Sequence, residues 1–157
     1  MAISPNTNFT AGQVLTSDQA NRFPRGIMAQ ATDNANFVLA GGVENISITA
    51  STFTAVANRY YRITYFEPSL PLVQNGNTVT MRVRLTNVTG TVIGSTVSTN
   101  ADTNAGTFEP TQLTCISTFS AGSVVLVGTL TSPGAVVTAA RAATSQALIL
   151  IEDIGPA

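Results

Sequence analysis

A chain of 157 residues with no histidine, no lysine and no tryptophan has a small chemical inventory. Without imidazole there is no Ser/His or Cys/His nucleophile pair and no imidazole metal ligand. The single cysteine, Cys115, alternates with Leu113 in "TQLTCISTF" and reads as a small apolar strand residue. Nothing beside it would lower its pKa enough to make a reactive thiolate. Eight carboxylates are spread along the chain. Glu152 and Asp153 are neighbours, so on a strand they point to opposite faces and cannot form the facing pair that glycoside hydrolysis requires. Asp102 and Glu109 flank the polar loop "NADTNAGTFEP", where solvated acids are a simpler account than a calcium or sugar contact. No phosphate-binding, dinucleotide-binding or calcium-loop motif occurs. We assign no catalytic, cofactor-binding or metal-binding residue, and the expected function is non-enzymatic.

Recognition chemistry is concentrated in "RYYRITYF". On a strand, Tyr61, Ile63 and Tyr65 share one face, which suits a core. Tyr60, Arg62, Thr64 and Phe66 share the other. That second set, with Tyr60, Arg62 and Phe66 as its large members, is a candidate ligand face: a stacking surface for a host-surface glycan, or a contact between subunits.

Composition limits the partners further. Only 10% of residues are charged, and seven scattered arginines are offset by eight acids for a net charge of −1. Nucleic acid normally demands a basic face, so it is not expected as a partner. The polar load falls instead on 24 threonines, 12 serines and 12 asparagines. A surface so poor in charge suits a chain that faces other copies of itself, and a homotrimer is favoured over a dimer. No apolar run approaches the ~18 residues of a membrane helix. The opening "MAISPNTNFTAGQV" lacks the charged and apolar regions of a signal peptide. The three glycosylation sequons, at Asn8, Asn45 and Asn87, are what an Asn- and Thr-rich chain produces by chance.

Strand signals dominate from Glu44 onward. In "TVTMRVRLTNV", Val79, Met81, Val83 and Leu85 alternate with Thr80, Arg82, Arg84 and Thr86, the pattern of a strand with one buried face. Asn75-Gly76 before it reads as the turn of a hairpin with "RYYRITYFE", and Thr89-Gly90 after it as a turn into "TVIGSTV". "ENISITAST", "TQLTCISTF", "SVVLVGTLT" and "AVVTAARA" supply further strands, separated by turns at Ala121-Gly122 and Ser132-Pro133-Gly134. The apolar run 147–151 suggests a strand buried on both faces, by the core on one and a neighbouring subunit on the other, with Glu152 and Asp153 beyond it at a solvated rim. About eight short strands at about ten-residue spacing predict an all-β, jelly-roll-like antiparallel sandwich over residues 43–157.

Residues 1–42 read as an extended N-terminal arm, with Gly41-Gly42 as a hinge. Within the arm, Thr16-Ser17-Asp18-Gln19 fits a capping box, and Leu15 stands where a hydrophobic staple would sit. Pro24 forces Phe23 out of the helical region, so the helix stops near Arg22 after one or two turns. So short a helix needs something to pack on. The apolar set Leu15, Phe23, Ile27 and Met28 fits docking on a neighbour better than on its own domain.

Two phrases resemble a known family. "FTAGQVLTSDQANRFPRGIMA" is similar to the opening of small minor tail and virion accessory proteins of tailed bacteriophages, with Gly12, Leu15, Thr16 and Asn21 followed by Pro24 and Gly26. The ending "RAATSQALILIEDIGPA" resembles theirs through Ile151, Glu152, Asp153, Ile154, Gly155 and Pro156. "RYYRITYF" resembles their first sandwich strands, and the middle of the chain matches loosely. The resemblance implies a structural protein located in the virion and attached to other virion proteins by an arm that includes Leu15, Thr16, Asn21, Phe23, Pro24 and Gly26. Its opening phrase also begins many phage fibres, so capsid decoration, a head fibre and a host-receptor module stay open beside a tail position.

Overall fold

The alternation in "RYYRITYF" extends one step at each end in the folded chain. Arg59, Tyr61, Ile63, Tyr65 and Glu67 all point inward and are buried. The computed structural model describes residues 11–12, 14–72, 78–99, 107–133 and 136–157. Among them are one short helix, α1 (Ser17–Asn21), and twelve strands. The strands are β1 (Gly26–Asp33), β2 (Phe37–Leu39), β3 (Asn45–Thr49), β4 (Phe53–Ala55), β5 (Arg59–Leu72) and β6 (Thr78–Leu85). They continue with β7 (Val92–Thr99), β8 (Thr107–Ser117), β9 (Gly122–Val124), β10 (Leu126–Thr131), β11 (Val137–Ala139) and β12 (Ala147–Pro156).

One rule describes their pairing. β6 pairs with β7, β5 with β8, β4 with β9, β3 with β10, β2 with β11 and β1 with β12, all antiparallel. The chain is thus one long antiparallel ribbon, folded back on itself between β6 and β7. Rolling the ribbon adds two lateral ladders, β12 to β5 and β10 to β6. The result is two four-stranded sheets, β1-β12-β5-β8 and β3-β10-β6-β7. This is the eight-stranded jelly roll expected from the strand spacing, with four three-residue strands as extra ladders at its corners. The tip of the ribbon is the expected Thr89-Gly90 turn, and the need for glycine there is steric. A Cβ at Gly90 would lie 1.7 Å from the Leu85 carbonyl oxygen.

Three expectations are corrected or narrowed. First, β5 and β6 do not form a hairpin. They lie in different sheets; Asn75-Gly76 falls outside the described residues. Second, the sandwich does not begin at residue 43. Strand pairing starts at Gly26, and β1 forms the edge of the first sheet, so a chain beginning at residue 43 would lack β1 and β2. Gly41-Gly42 is a turn, with the Gly42 N–H bonded to the Ser132 carbonyl at 2.7 Å. Third, within one chain the run 147–151 is buried on one face only, so the other face is left for the neighbouring subunit expected there. Ala147, Ile149 and Ile151 are fully buried, while Leu148 and Leu150 are half-buried on the outside.

The core fills the space between the sheets. Tyr61, Ile63, Tyr65, Ile149 and Ile151 of the first sheet meet Val79, Met81, Val83, Leu126 and Leu130 of the second. An aromatic trio, Phe53, Tyr61 and Phe119, with ring centroids 5.5–6.1 Å apart, packs together within it. Cys115 packs against the core as expected, and burial pushes its thiol pKa up. It faces Gly94 on β7, where any Cβ would meet its sulfur at 2.8 Å.

Val83 has no exposed surface, whereas Thr80 on the other face of β6 is half-exposed. Val83→Asp buries an unpaired charge and is expected to destabilise by roughly 3 kcal/mol or more. Thr80→Asp should cost far less. Urea melts of the two variants check this, and equal losses would mean that the outer face of β6 is covered too.

Candidate interface on the outer face of the first sheet

The ladder registers place side chains in rows across the first sheet. Ile27 lies opposite Glu152, Glu152 opposite Arg62, and Arg62 opposite Ile116. The next outward row runs Gln30, Leu150, Thr64 and Thr114. The row beyond it runs Thr32, Leu148, Phe66 and Gln112. Directly opposite residues share a face, and Asp153 and Tyr61 are buried inside, so these rows form the outer surface. Leu150, Leu148 and Phe66 lie on the two middle strands, and the two edges carry Gln30, Thr32, Thr114 and Gln112, with Ile27 and Ile116 at the ends of the first row. One ion pair stands among them: Arg62 Nη2 to Glu152 Oε2 at 2.9 Å. That pair raises the Arg62 pKa through the hydrogen bond and the carboxylate charge.

The second sheet's outer face is built differently. There Glu44 accepts from Arg82 Nη1 at 3.0 Å, Arg84 Nε at 2.6 Å and Thr129 Oγ1 at 2.5 Å. Burial alone would raise the Glu44 pKa, but these donors and the two positive charges hold it below its ordinary value. The charges lie flat across the strands beneath them, and Thr129 and Val127 are buried. The two faces of the sandwich therefore differ at their centres: a charge network on one, with Ile46, Val92 and Val97 exposed around it, and apolar side chains about a single ion pair on the other.

The candidate ligand residues Tyr60, Arg62 and Phe66 all lie on the first sheet's outer strand positions, as expected. The arm residues emerge beside them. Thr16 caps α1: its Oγ1 accepts the Gln19 N–H at 3.2 Å, and its own N–H donates to Gln19 Oε1 at 2.9 Å. This is the capping box read from the sequence. After α1 the chain passes through Phe23 and Pro24 to Gly26, which enters β1 at φ +77°, a conformation that favours glycine. Ile27 then stands in the same row as Arg62, two strands away or roughly 10 Å.

The device that fixes this exit was not singled out from the sequence. Arg59, 4% exposed, pairs with Asp153, 1% exposed, through Nε–Oδ2 at 2.5 Å and Nη2–Oδ1 at 2.7 Å. The same guanidinium donates through Nη1 to the Asn21 carbonyl and through Nη2 to the Phe23 carbonyl at 2.5 Å. One buried cation thus holds both the last strand and the end of α1. Asp153 is not at a solvated rim as expected. Burial would raise its pKa, but the Arg59 hydrogen bond, the Gly155 N–H, the Arg59 charge and the Arg25 backbone together lower it. The arm's end is therefore anchored on its own domain, yet Val14, Leu15, Phe23 and Ile27 stay 42–85% exposed. Met28 packs against the core.

A second buried cluster lies between the sheets. Glu67 Oε1 accepts from Ser47 Oγ at 2.5 Å, Tyr65 OH at 2.6 Å and Arg141 Nη2 at 2.6 Å. Arg141 Nη1 also reaches Asp33 Oδ2 at 2.7 Å, and the guanidinium sits over the Phe37 ring at 5.5 Å. Burial, then the Glu67 charge, push the Tyr65 pKa well above its ordinary value. The side chains of Arg141 and Glu67 have no exposed surface. With Glu67, Arg141 and Ser47 buried, this cluster locks β1, β3, β5 and the segment before β12 together.

A period-2 reading could have found both clusters, since positions 59 and 67 continue the inward series 61, 63, 65, and 153 continues 147, 149, 151. Of the remaining sequence candidates, Glu109 is exposed, Asn87 is exposed and Asn45 is half-buried, whereas Asp102 and Asn8 lie outside the described residues.

No protein-family model matches the chain, and no curated protein matches it. Among solved structures it is similar to one of infectious bursal disease virus, Gx strain, at 18% identity and a TM-score of 0.43, covering 97% of this chain and 37% of that one. It is similar to a mutant VP2 protein of infectious bursal disease virus at 14% identity and a TM-score of 0.44, covering 98% and 45%. It is also similar to the enzymatically active domain of bacteriophage CBA120 tailspike protein 4, at 15% identity and a TM-score of 0.33, covering 84% and 19%. The chain spans less than half the length of each of these.

Asp153→Asn leaves Arg59 buried opposite a neutral group, and at neutral pH it is expected to destabilise by about 3–5 kcal/mol. The acid limb should change as well. A carboxyl whose folded pKa is depressed contributes fully above its unfolded value of about 3.9 and loses that contribution as pH falls through the lower folded value. Wild type should therefore lose more stability below about pH 4 than the variant does. Denaturant melts at neutral pH and in this acid range check both points, and equal acid losses would remove Asp153 from this role.

Proposed function

We propose that this chain is a non-enzymatic structural protein of a tailed-bacteriophage virion, a minor tail protein. On this reading it is attached to the particle by its N-terminal segment and associates with other copies through its β domain. One observation carries the reading. The segment before β1 leaves the domain at a fixed point, clamped by Arg59 at the Asn21 and Phe23 carbonyls, while Val14 and Leu15 beyond the clamp expose their apolar side chains. A rigid exit with an apolar lead is suited to insertion into another protein. The family resemblance of the two chain ends supports the same reading, and it fits a capsid-decoration or head-fibre position equally well.

A second reading, a host-glycan or receptor-binding module, is favoured by Tyr60, Arg62 and Phe66 standing together on the outer face. A glycan array with the full-length chain separates it from a purely structural role.

Removing residues 1–15 spares the clamp, whose partners begin at Asn21. The shortened chain is expected to melt like wild type and to be lost from purified particles, as read by quantitative mass spectrometry of virions. Incorporation at the wild-type level would overturn attachment through this segment.

A further inference from the structure

We infer that the outer face of the first sheet is the self-association surface, and that it meets a second copy of the same face across a two-fold axis. The inference deepens the self-association in the reading above and rests on it. The occupant follows from the charge pattern. The face carries one cation and one anion, Arg62 and Glu152, side by side on β5 and β12 in directly opposed register. The face has no net charge to attract an acidic or basic partner. It is complementary to itself instead. A two-fold axis in the interface plane, running between β12 and β5 along the strands, sets each copy's Glu152 over the other's Arg62. The two pairs then become a four-membered ring of alternating charge.

The surroundings fit that contact. Leu148, Leu150 and Phe66 form an apolar centre, and Ile27 and Ile116, 61% and 59% exposed, close the ends of the charged row. Threonine and glutamine make up the rim. An apolar, charge-poor centre inside a neutral polar rim is the anatomy of a protein–protein contact. Sheets pack face to face about 10 Å apart through side chains of this size. The opposite face has Glu44, Arg82 and Arg84 at its middle, and its exposed apolar groups, Ile46, Val92 and Val97, stand apart on the strands around that cluster. Four strands about 4.8 Å apart and about eight residues long project roughly 500 Å². That is somewhat short of the roughly 800 Å² per partner of a standard interface. The apolar segment leaving beside Ile27 is placed to extend it. The inferred contact is two-fold, whereas the sequence reading favours a homotrimer.

Charge exchange tests this on the full-length chain. Arg62→Glu leaves two acids on the face, and Glu152→Arg leaves two arginines. Each variant alone should keep its fold by circular dichroism and associate at least about tenfold more weakly than wild type, through like-charge repulsion between copies. Their equimolar mixture should form a heterodimer of about wild-type affinity, measured by sedimentation velocity. If the Arg62–Glu152 pair mattered only within one chain, mixing would restore nothing, because both variants have lost it. Failure to rescue, single variants that retain wild-type mass, or a wild-type monomer at tens of micromolar would each overturn the inference. None of these outcomes bears on whether the N-terminal segment is needed for particle incorporation.

Discussion

The pairing of β1 with β12 determines where this protein can present a contact. A ribbon rolled into a jelly roll must bring its first and last strands together, and these are the most distant partners in the sequence. Closing that ladder orders nearly the whole chain, so its entropic cost is among the largest in the fold. Two buried arginines offset it where the register could slip. Arg59 reaches from β5 to Asp153 of β12 and to the carbonyls before β1. Arg141, just before β12, reaches Asp33 at the end of β1 and Glu67 on β5. Each cation joins elements that come together only when the roll is complete.

Buried ion pairs are weak evidence for stability, since desolvation consumes most of the Coulomb gain. Their value here is in specifying one arrangement. The nonpolar side chains of β12 could satisfy the core in a register shifted by two residues, because the inward alternation would be preserved. Asp153 could not, since it would lose the Arg59 guanidinium and bury an unpaired carboxylate. The polar groups set the register, and the apolar groups supply most of the energy.

Much of the fold was legible in the sequence because alternation is a local signal. Tyr61, Ile63 and Tyr65 point inward, and so do Val79, Met81 and Val83, for the reason that period-2 patterning gives. The capping box at Thr16 was legible for the same reason, since its hydrogen bonds span three residues. What was not legible depended on distant partners. "GIMAQATD" has poor β-propensity and is a strand because β12 supplies its ladder. Asn75-Gly76 signals a local turn, yet sheet membership of β5 and β6 is decided by the ladders to β12 and β10. The aromatic residues of the candidate face were legible, but the extent of the surface they belong to was not. Leu148, Leu150 and Ile27 join it only through the register across three strands.

The same closure also sets where the N-terminal segment emerges. With β1 and β12 adjacent, the N-terminal segment emerges at the margin of the sheet whose outer face is apolar. A protein attached through that segment holds this face close to whatever it is attached to. Were copies fixed side by side on a particle, their high effective concentration would add to the association proposed for solution. If the proposed attachment and self-association both hold, β1 couples them: the clamp at Arg59 fixes the direction of the segment, and the segment fixes which face its neighbours meet.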